Sequence, residues 1–94
     1  MARNPDQVRE MSVSAAGAVT APMVLTGYYN MSLEFLGAGT ISLQRSFDGG
    51  AHWKTIASYT GNTESVDYEP EEGVQYRLAC TAFTSGPILC RLSQ

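Results

Sequence analysis

The sequence predicts an all-β protein, a small antiparallel β-sandwich of six to seven strands with an extended N-terminal arm. Two observations predict the sandwich: short runs alternate apolar with polar residues, and turns containing Gly, Pro or Asp separate them at even spacing. A third is that no segment shows the 3.6-residue apolar period of an amphipathic helix. The 94 residues are enough for one domain with one core.

The first ten residues predict an arm, and residues 11–94 predict the single sandwich domain. Residues 1–10 are polar and contain Pro5, and such segments often order only on a partner. Arg3 and Arg9 give this end a basic bias against an acidic remainder. The sequence therefore predicts that the arm binds a partner through these two side chains.

The strands follow from alternation along the chain. Residues 12–15 predict a weak strand, and Val19 lies in a short extended piece interrupted by Gly17 and Pro22. A stronger pattern spans residues 28–36, where apolar side chains alternate with polar ones. The remaining strands are predicted at 40–46, 52–59, 63–68, 74–83 and 87–92.

The clearest local structure is a hairpin within residues 41–56. Asp48 is able to accept hydrogen bonds from backbone N–H groups just beyond it, and Gly49 and Gly50 tolerate a positive φ. This Asp-Gly-Gly sequence lies between two alternating runs, so it predicts a tight turn between paired strands.

The same turn resembles the Asp-box, a Ser-x-Asp-x-Gly-x-Thr-Trp hairpin found in sialidases and many unrelated β-proteins. Ser46, Asp48, Gly50 and Trp53 match its pattern, and His52 replaces the usual Thr. The resemblance implies a stabilised structural turn and no particular activity. We expect Trp53 to pack in the core.

A second run, Pro-Glu-Glu-Gly-Val-Gln-Tyr-Arg-Leu-Ala-Cys at residues 70–80, resembles the turn into the penultimate strand of fibronectin type III and other immunoglobulin-like domains. In those domains a tyrosine hydrogen-bonds back across the corner. The resemblance implies an immunoglobulin-like sandwich in which Tyr76 is the structural corner residue.

The two cysteines are predicted to face each other. If residues 84–86 form a hairpin loop, Cys80 lies directly opposite Cys90 on the neighbouring strand. A disulfide between them remains open, but the absence of a secretion signal favours a reduced pair in the core. Zinc would need two further ligands, and His52 is the only histidine.

No catalytic constellation is visible in the sequence. His52 has no second histidine or cysteine at a useful spacing, and a catalytic base needs a positioned partner. Glu69, Glu71 and Glu72 crowd a turn, which predicts a solvated acidic loop. Asp48 and nearby oxygens are too few for calcium. We therefore expect no enzymatic activity, no cofactor and no metal.

Charge indicates the classes of partner. The net charge is −3, from six basic and nine acidic side chains, and five of the acidic ones lie between Glu64 and Glu72. Without a basic patch, direct binding of nucleic acid is not expected. No apolar run approaches the roughly 20 residues of a membrane helix. A sparsely charged surface is typical of a subunit in an assembly.

The run from Gly39 to Gln94 carries the sequences Leu-Gln-Arg-Ser-Phe-Asp-Gly-Gly, Tyr-Glu-Pro-Glu-Glu-Gly-Val-Gln-Tyr-Arg-Leu and Cys-Arg-Leu-Ser-Gln. It is similar to small proteins encoded among the virion genes of tailed bacteriophages. The resemblance implies a non-enzymatic structural protein of the particle, serving as a capsid decoration or cement protein or as a neck or tail accessory. It further implies synthesis in the host cytoplasm, location in the virion, contacts with capsid, neck or tail subunits, and a homo-oligomeric or multi-copy state.

An alternative function comes from the aromatic residues. An exposed aromatic platform on a sandwich would stack on sugar rings and make the chain a carbohydrate-binding adhesion module on a virion or cell surface. The candidate residues for such a platform are Tyr28, Tyr29, Trp53, Tyr59, Tyr68 and Phe83. Most of these rings are expected in the core.

Overall fold

The computed structural model describes residues 8–94, which form eight β-strands and no helix. The strands are β1 (Val8–Val13), β2 (Met23–Val24), β3 (Gly27–Phe35), β4 (Gly39–Ser46), β5 (Lys54–Tyr59), β6 (Thr63–Glu69), β7 (Gln75–Phe83) and β8 (Ile88–Ser93). They make two antiparallel four-stranded sheets, so the all-β sandwich is confirmed. The eight strands of residues 8–94 are one more than the upper limit of the six to seven that the sequence predicts.

The strand order is that of a jelly roll. The first sheet runs β1-β8-β3-β6 and the second runs β2-β7-β4-β5. The pairs β1 with β8, β2 with β7, β3 with β6 and β4 with β5 are nested. This nesting is what results when one long hairpin is rolled into two sheets.

The immunoglobulin-like strand order is therefore not found. In that order the last two strands are neighbours in one sheet. Here β7 lies between β2 and β4, whereas β8 lies between β1 and β3 in the opposite sheet. The physical reason is that β8 could bury its apolar face from either sheet, and alternation within β8 does not reveal that it pairs with β1 and β3.

The predicted arm of residues 1–10 extends too far along the chain, because β1 already begins at Val8. Val8, Arg9 and Glu10 form the first half of β1 and pair with the end of β8. Arg9 also donates from Nε to the Pro22 carbonyl at 3.3 Å, so this side chain contacts the sandwich itself. Residues 1–7, with Arg3 and the rest of the predicted arm, lie outside the described residues.

The core lies between the inner faces of the two sheets. In β3 the alternation is as the sequence predicts, with Tyr29, Met31 and Leu33 buried. The other buried hydrophobic residues of the core are Val13, Met23, Leu25, Ile41, Leu43, Val74, Tyr76, Leu78, Cys80, Ile88, Cys90 and Leu92. Phe35, Tyr59 and Phe83 are partly buried at its margin.

One end of the sandwich is closed by backbone contact between two loops. The Ala38 amide donates to the Ser85 carbonyl at 2.9 Å, and the Thr84 amide donates to the Ala38 carbonyl at 2.9 Å. A Cβ atom on Gly37 would overlap the backbone of Ser85. The close approach of these loops therefore requires glycine at position 37.

Candidate functional site

A buried charged cluster joins the two sheets near the β6–β7 turn. Glu69 is 2% exposed, and its Oε1 accepts hydrogen bonds from the Tyr76 hydroxyl at 2.5 Å and from Arg45 Nη1 at 3.0 Å. Its Oε2 accepts from the Glu71 amide at 3.0 Å. Glu69 is thus not part of a solvated loop as expected, because the last residue of β6 points inward; Glu71 and Glu72 are exposed.

The hydrogen bonds in this cluster keep Glu69 ionised. Burial by itself would raise the pKa of Glu69, but the bonds from Tyr76, the Glu71 amide and Arg45 outweigh burial and lower that pKa. Burial, followed by the bond to Glu69, raises the pKa of Tyr76. Both carboxylate oxygens accept hydrogen bonds from the protein, and the bond from Tyr76 links the two sheets.

Tyr76 does bond back across the corner, in the manner that the sequence suggested. Its acceptor is the side chain of Glu69, seven residues upstream, and its ring lies 5.0 Å from that of Tyr29. The sequence did not predict Glu69 and Arg45 as partners of Tyr76. The pairing of β4 with β7 places Arg45 opposite Tyr76, and packing of the two sheets brings Glu69 of β6 to both.

The β4–β5 turn is organised by Ser46 and Asp48. The Ser46 hydroxyl donates to Asp48 Oδ1 at 2.7 Å and accepts from the Gly50 amide at 2.9 Å. Asp48 Oδ1 also accepts from the His52 amide at 2.9 Å. Gly49 and Gly50 have φ values of +73° and +94°, which is the left-handed conformation that the sequence required there.

The turn brings a serine, an aspartate and a histidine together, but not in a catalytic arrangement. The His52 ring bonds to Asp48 Oδ2 at 2.6 Å, whereas Ser46 donates to the aspartate and not to the imidazole. An activated serine must pass its proton to the histidine. The hydrogen bond from Ser46, followed by those from His52, lowers the pKa of Asp48. These contacts stabilise the turn.

Trp53 does not lie in the core, so that expectation is wrong. It is half-buried on the outer side of the second sheet, where the Arg77 guanidinium lies 4.3 Å from the centre of its ring. Arg77 in turn donates from Nε to Gln44 Oε1 at 2.8 Å. Trp53 lies just before β5, which begins at Lys54, so the alternation of that strand does not determine on which side the Trp53 ring lies.

The predicted cross-strand pairing of the cysteines is also wrong. Cys80 is opposite Ile41 in the second sheet, and Cys90 is opposite Met11 and Leu33 in the first. Both thiols are free and buried, as in the reduced alternative. Burial, with a smaller contribution from Cys80, raises the pKa of the Cys90 thiol to about 11. The described residues contain no group of His, Cys, Asp and Glu side chains arranged to hold a metal.

The outer face of the first sheet carries the most exposed aromatic pair. Tyr28 is 73% exposed and Tyr68 is 57% exposed, and their ring centres lie 4.9 Å apart. A groove of about 330 Å³ lies on the same sheet. Its lining consists of Asn30, Met31, Ser32, Glu64, Ser65, Val66, Arg91 and Ser93. Of the aromatic candidates from the sequence, Tyr28 and Tyr68 are the pair exposed here, whereas Tyr29 is buried.

The polar residues of this groove are not predicted by any local pattern in the sequence, because they come from three strands distant in the chain. Within residues 8–94, no helix is long or apolar enough to cross a membrane.

Comparison of the chain with protein-family models, with curated proteins and with solved structures finds no match in any of the three.

Proposed function

We propose that this chain is a non-enzymatic structural protein of a tailed-phage particle that acts through contacts with other protein chains. In this role it would be made in the host cytoplasm and incorporated into the virion as multiple copies or as a homo-oligomer. Its partners would be capsid, neck or tail subunits. The virion assignment depends on the resemblance of residues 39–94 to small virion-gene products.

One structural observation supports a role in assembly. The Cα atoms span 35 × 32 × 18 Å, a flat plate, and large hydrophobic side chains are exposed on both sheets as well as on loops. Within residues 8–94, the exposed large hydrophobic side chains have accessible fractions from 38% to 73% and are Val19, Val24, Tyr28, Leu36, Phe47, Ile56, Val66, Tyr68 and Leu89. Apolar surface on several sides suits a unit enclosed by neighbours better than an enzyme with one cleft.

The polar clusters are consistent with this role. Glu69 receives three hydrogen bonds from the protein, and Asp48 is bonded to Ser46 and His52. Groups that are saturated in this way stabilise a fold and are poorly suited to exchanging protons with a substrate. Both clusters therefore favour structural roles.

The test is whether particles contain the protein. Gradient-purified particles of a phage that encodes the chain should contain it at a fixed copy number by quantitative mass spectrometry, and purified protein should bind particles assembled without it. Its absence from purified particles would contradict the proposal.

A matched set of variants tests the contact surface. Leu36→Ser and Phe47→Ser each remove an exposed apolar side chain and should reduce incorporation, whereas Thr60→Ser alters an exposed polar residue and should not. Melting temperatures close to that of the unmodified protein would show that the loss is in binding and not in folding.

A further inference from the structure

The exposed pair Tyr28 and Tyr68 lies at the end of a sheet face whose next two rungs hold three polar residues and one apolar residue, Val66. The two residues are register partners on β3 and β6, and their ring planes are inclined by 59°. The next rung outward on this face is Asn30 with Val66, and the one after it is Ser32 with Glu64. Residues two apart on a strand share a face, so the rings and the groove form one continuous surface.

Arg91 brings a cationic donor to this surface from β8. It is half-buried and pairs in register with Ser32 of β3 on one side and with Glu10 of β1 on the other. It makes no hydrogen bond or ion pair with any residue between 8 and 94. Its guanidinium donors are thus available to a ligand in the groove.

The carboxylates of Glu10 and Glu64 lie on the same rung as Arg91, on either side of it. Ser32 donates its hydroxyl to Glu64 Oε2, which leaves the other carboxylate oxygen without a partner among the described residues. Acceptors and donors therefore lie side by side, and two carboxylates against one guanidinium leave the rung with a formal charge of −1. A phosphate or sulfate cannot donate to the carboxylates, and a basic segment would meet Arg91, so neither fits the whole rung.

Sugar hydroxyls both donate and accept, and the C–H face of a sugar ring packs on an aromatic ring. A polyhydroxylated ring in the groove would accept from Arg91, donate to Glu64 and reach Asn30, while a neighbouring ring packs on Tyr28 or Tyr68. The volume of about 330 Å³ falls at the lower end of ordinary ligand sites.

We propose that the outer face of the first sheet, formed by Tyr28, Tyr68, Asn30, Glu64 and Arg91, is a binding site for neutral oligosaccharides. This inference goes beyond the proposed structural role and does not depend on it. A structural protein of a particle with such a site would be able to attach the particle to a glycan.

The test begins with binding of the purified full chain to an array of neutral and sulfated glycans. A neutral oligosaccharide retained on the array is then titrated into ¹⁵N-labelled protein while amide chemical shifts are recorded. We expect saturable shifts at Asn30, Ser32, Glu64 and Arg91. Tyr68→Ala and Arg91→Ala should each weaken binding about tenfold or more, as expected for loss of a ring contact or a charged donor.

Phe47→Ala is the matched control, because Phe47 is an exposed ring, 52% accessible, that lies outside the groove. Its affinity should equal that of the unmodified chain. The proposal would be overturned if no neutral glycan bound, if sulfated glycans were preferred, or if the folded Tyr68→Ala and Arg91→Ala variants bound as tightly as the unmodified chain. Incorporation into particles is measured separately, so failure here leaves the structural role standing.

Discussion

Tyr76 and Glu69 are joined by a 2.5 Å hydrogen bond that crosses from the second sheet to the first. Both residues are almost fully buried. The bond links the two sheets at the position where the chain passes from one to the other. Its loss should therefore lower the stability of the whole domain.

Tyr76→Phe should lower the free energy of unfolding by about 1–3 kcal/mol, since a buried carboxylate would lose one of its three hydrogen-bond donors. Urea unfolding followed by fluorescence measures the change. Tyr28→Phe removes the same hydroxyl at an exposed ring and should have little effect. Equal unfolding midpoints for Tyr76→Phe and the unmodified protein would show that this bond does not contribute.

Stability should fall in acid because of Glu69. Its pKa in the folded protein lies below the ordinary 4.5, so its contribution is present above about pH 4.5 and is lost as pH falls through the lower folded-state value. Glu69→Gln should be less stable at neutral pH and should lose less stability on acidification. Unfolding measured from pH 7 to pH 2 tests this, with Glu71→Gln as the exposed control. A Glu69→Gln profile parallel to that of the unmodified protein would refute it.

The hydrogen bonds from Ser46 and then His52 lower the pKa of Asp48, so the carboxylate that holds the turn is ionised at neutral pH. Asp48→Ala removes the acceptor for the Ser46 hydroxyl and the His52 amide, and should lower the melting temperature by a few degrees. Glu72→Ala, on another exposed turn, is the comparison. If calorimetry gives the same melting temperature for Asp48→Ala and Glu72→Ala, Asp48 does not stabilise the turn.

Gly37→Ala should lower stability by about 2 kcal/mol or more, because the new Cβ overlaps the Ser85 backbone and the loops must separate. Gly61→Ala is the matched control. No atom lies within 4 Å of a Cβ at position 61, and Gly61 does not have a positive φ. Chemical unfolding measures the stability of both variants, and similar values would show that the close contact between the two loops does not contribute to stability.

Both cysteines should be slow to react with a thiol reagent in the folded protein. Cys80 and Cys90 are buried, and burial raises the pKa of Cys90 to about 11, so little thiolate exists at pH 8. Two thiols should titrate rapidly in urea and slowly without it. Rapid labelling of the native chain, or a mass two protons lower after purification without reductant, would contradict the free, buried state.

Local sequence was sufficient wherever a structure is formed by neighbours in the chain. The alternation in β3 predicted the buried residues Tyr29, Met31 and Leu33, and the Asp48-Gly49-Gly50 sequence predicted the β4–β5 hairpin. These features depend on the side-chain period of a strand and on the backbone freedom of glycine, which are properties of a few consecutive residues.

The tertiary structure alone decided which strands pair. Alternation divides β7 and β8 into inner and outer faces, but it does not state that they enter opposite sheets, and so it misplaced Cys80 against Cys90. The burial of Glu69 beside Arg45 and Tyr76 depends on how the two sheets pack against each other. Pairing of distant strands is selected by the burial of the whole core, a free energy summed over all eight strands that no single segment contains.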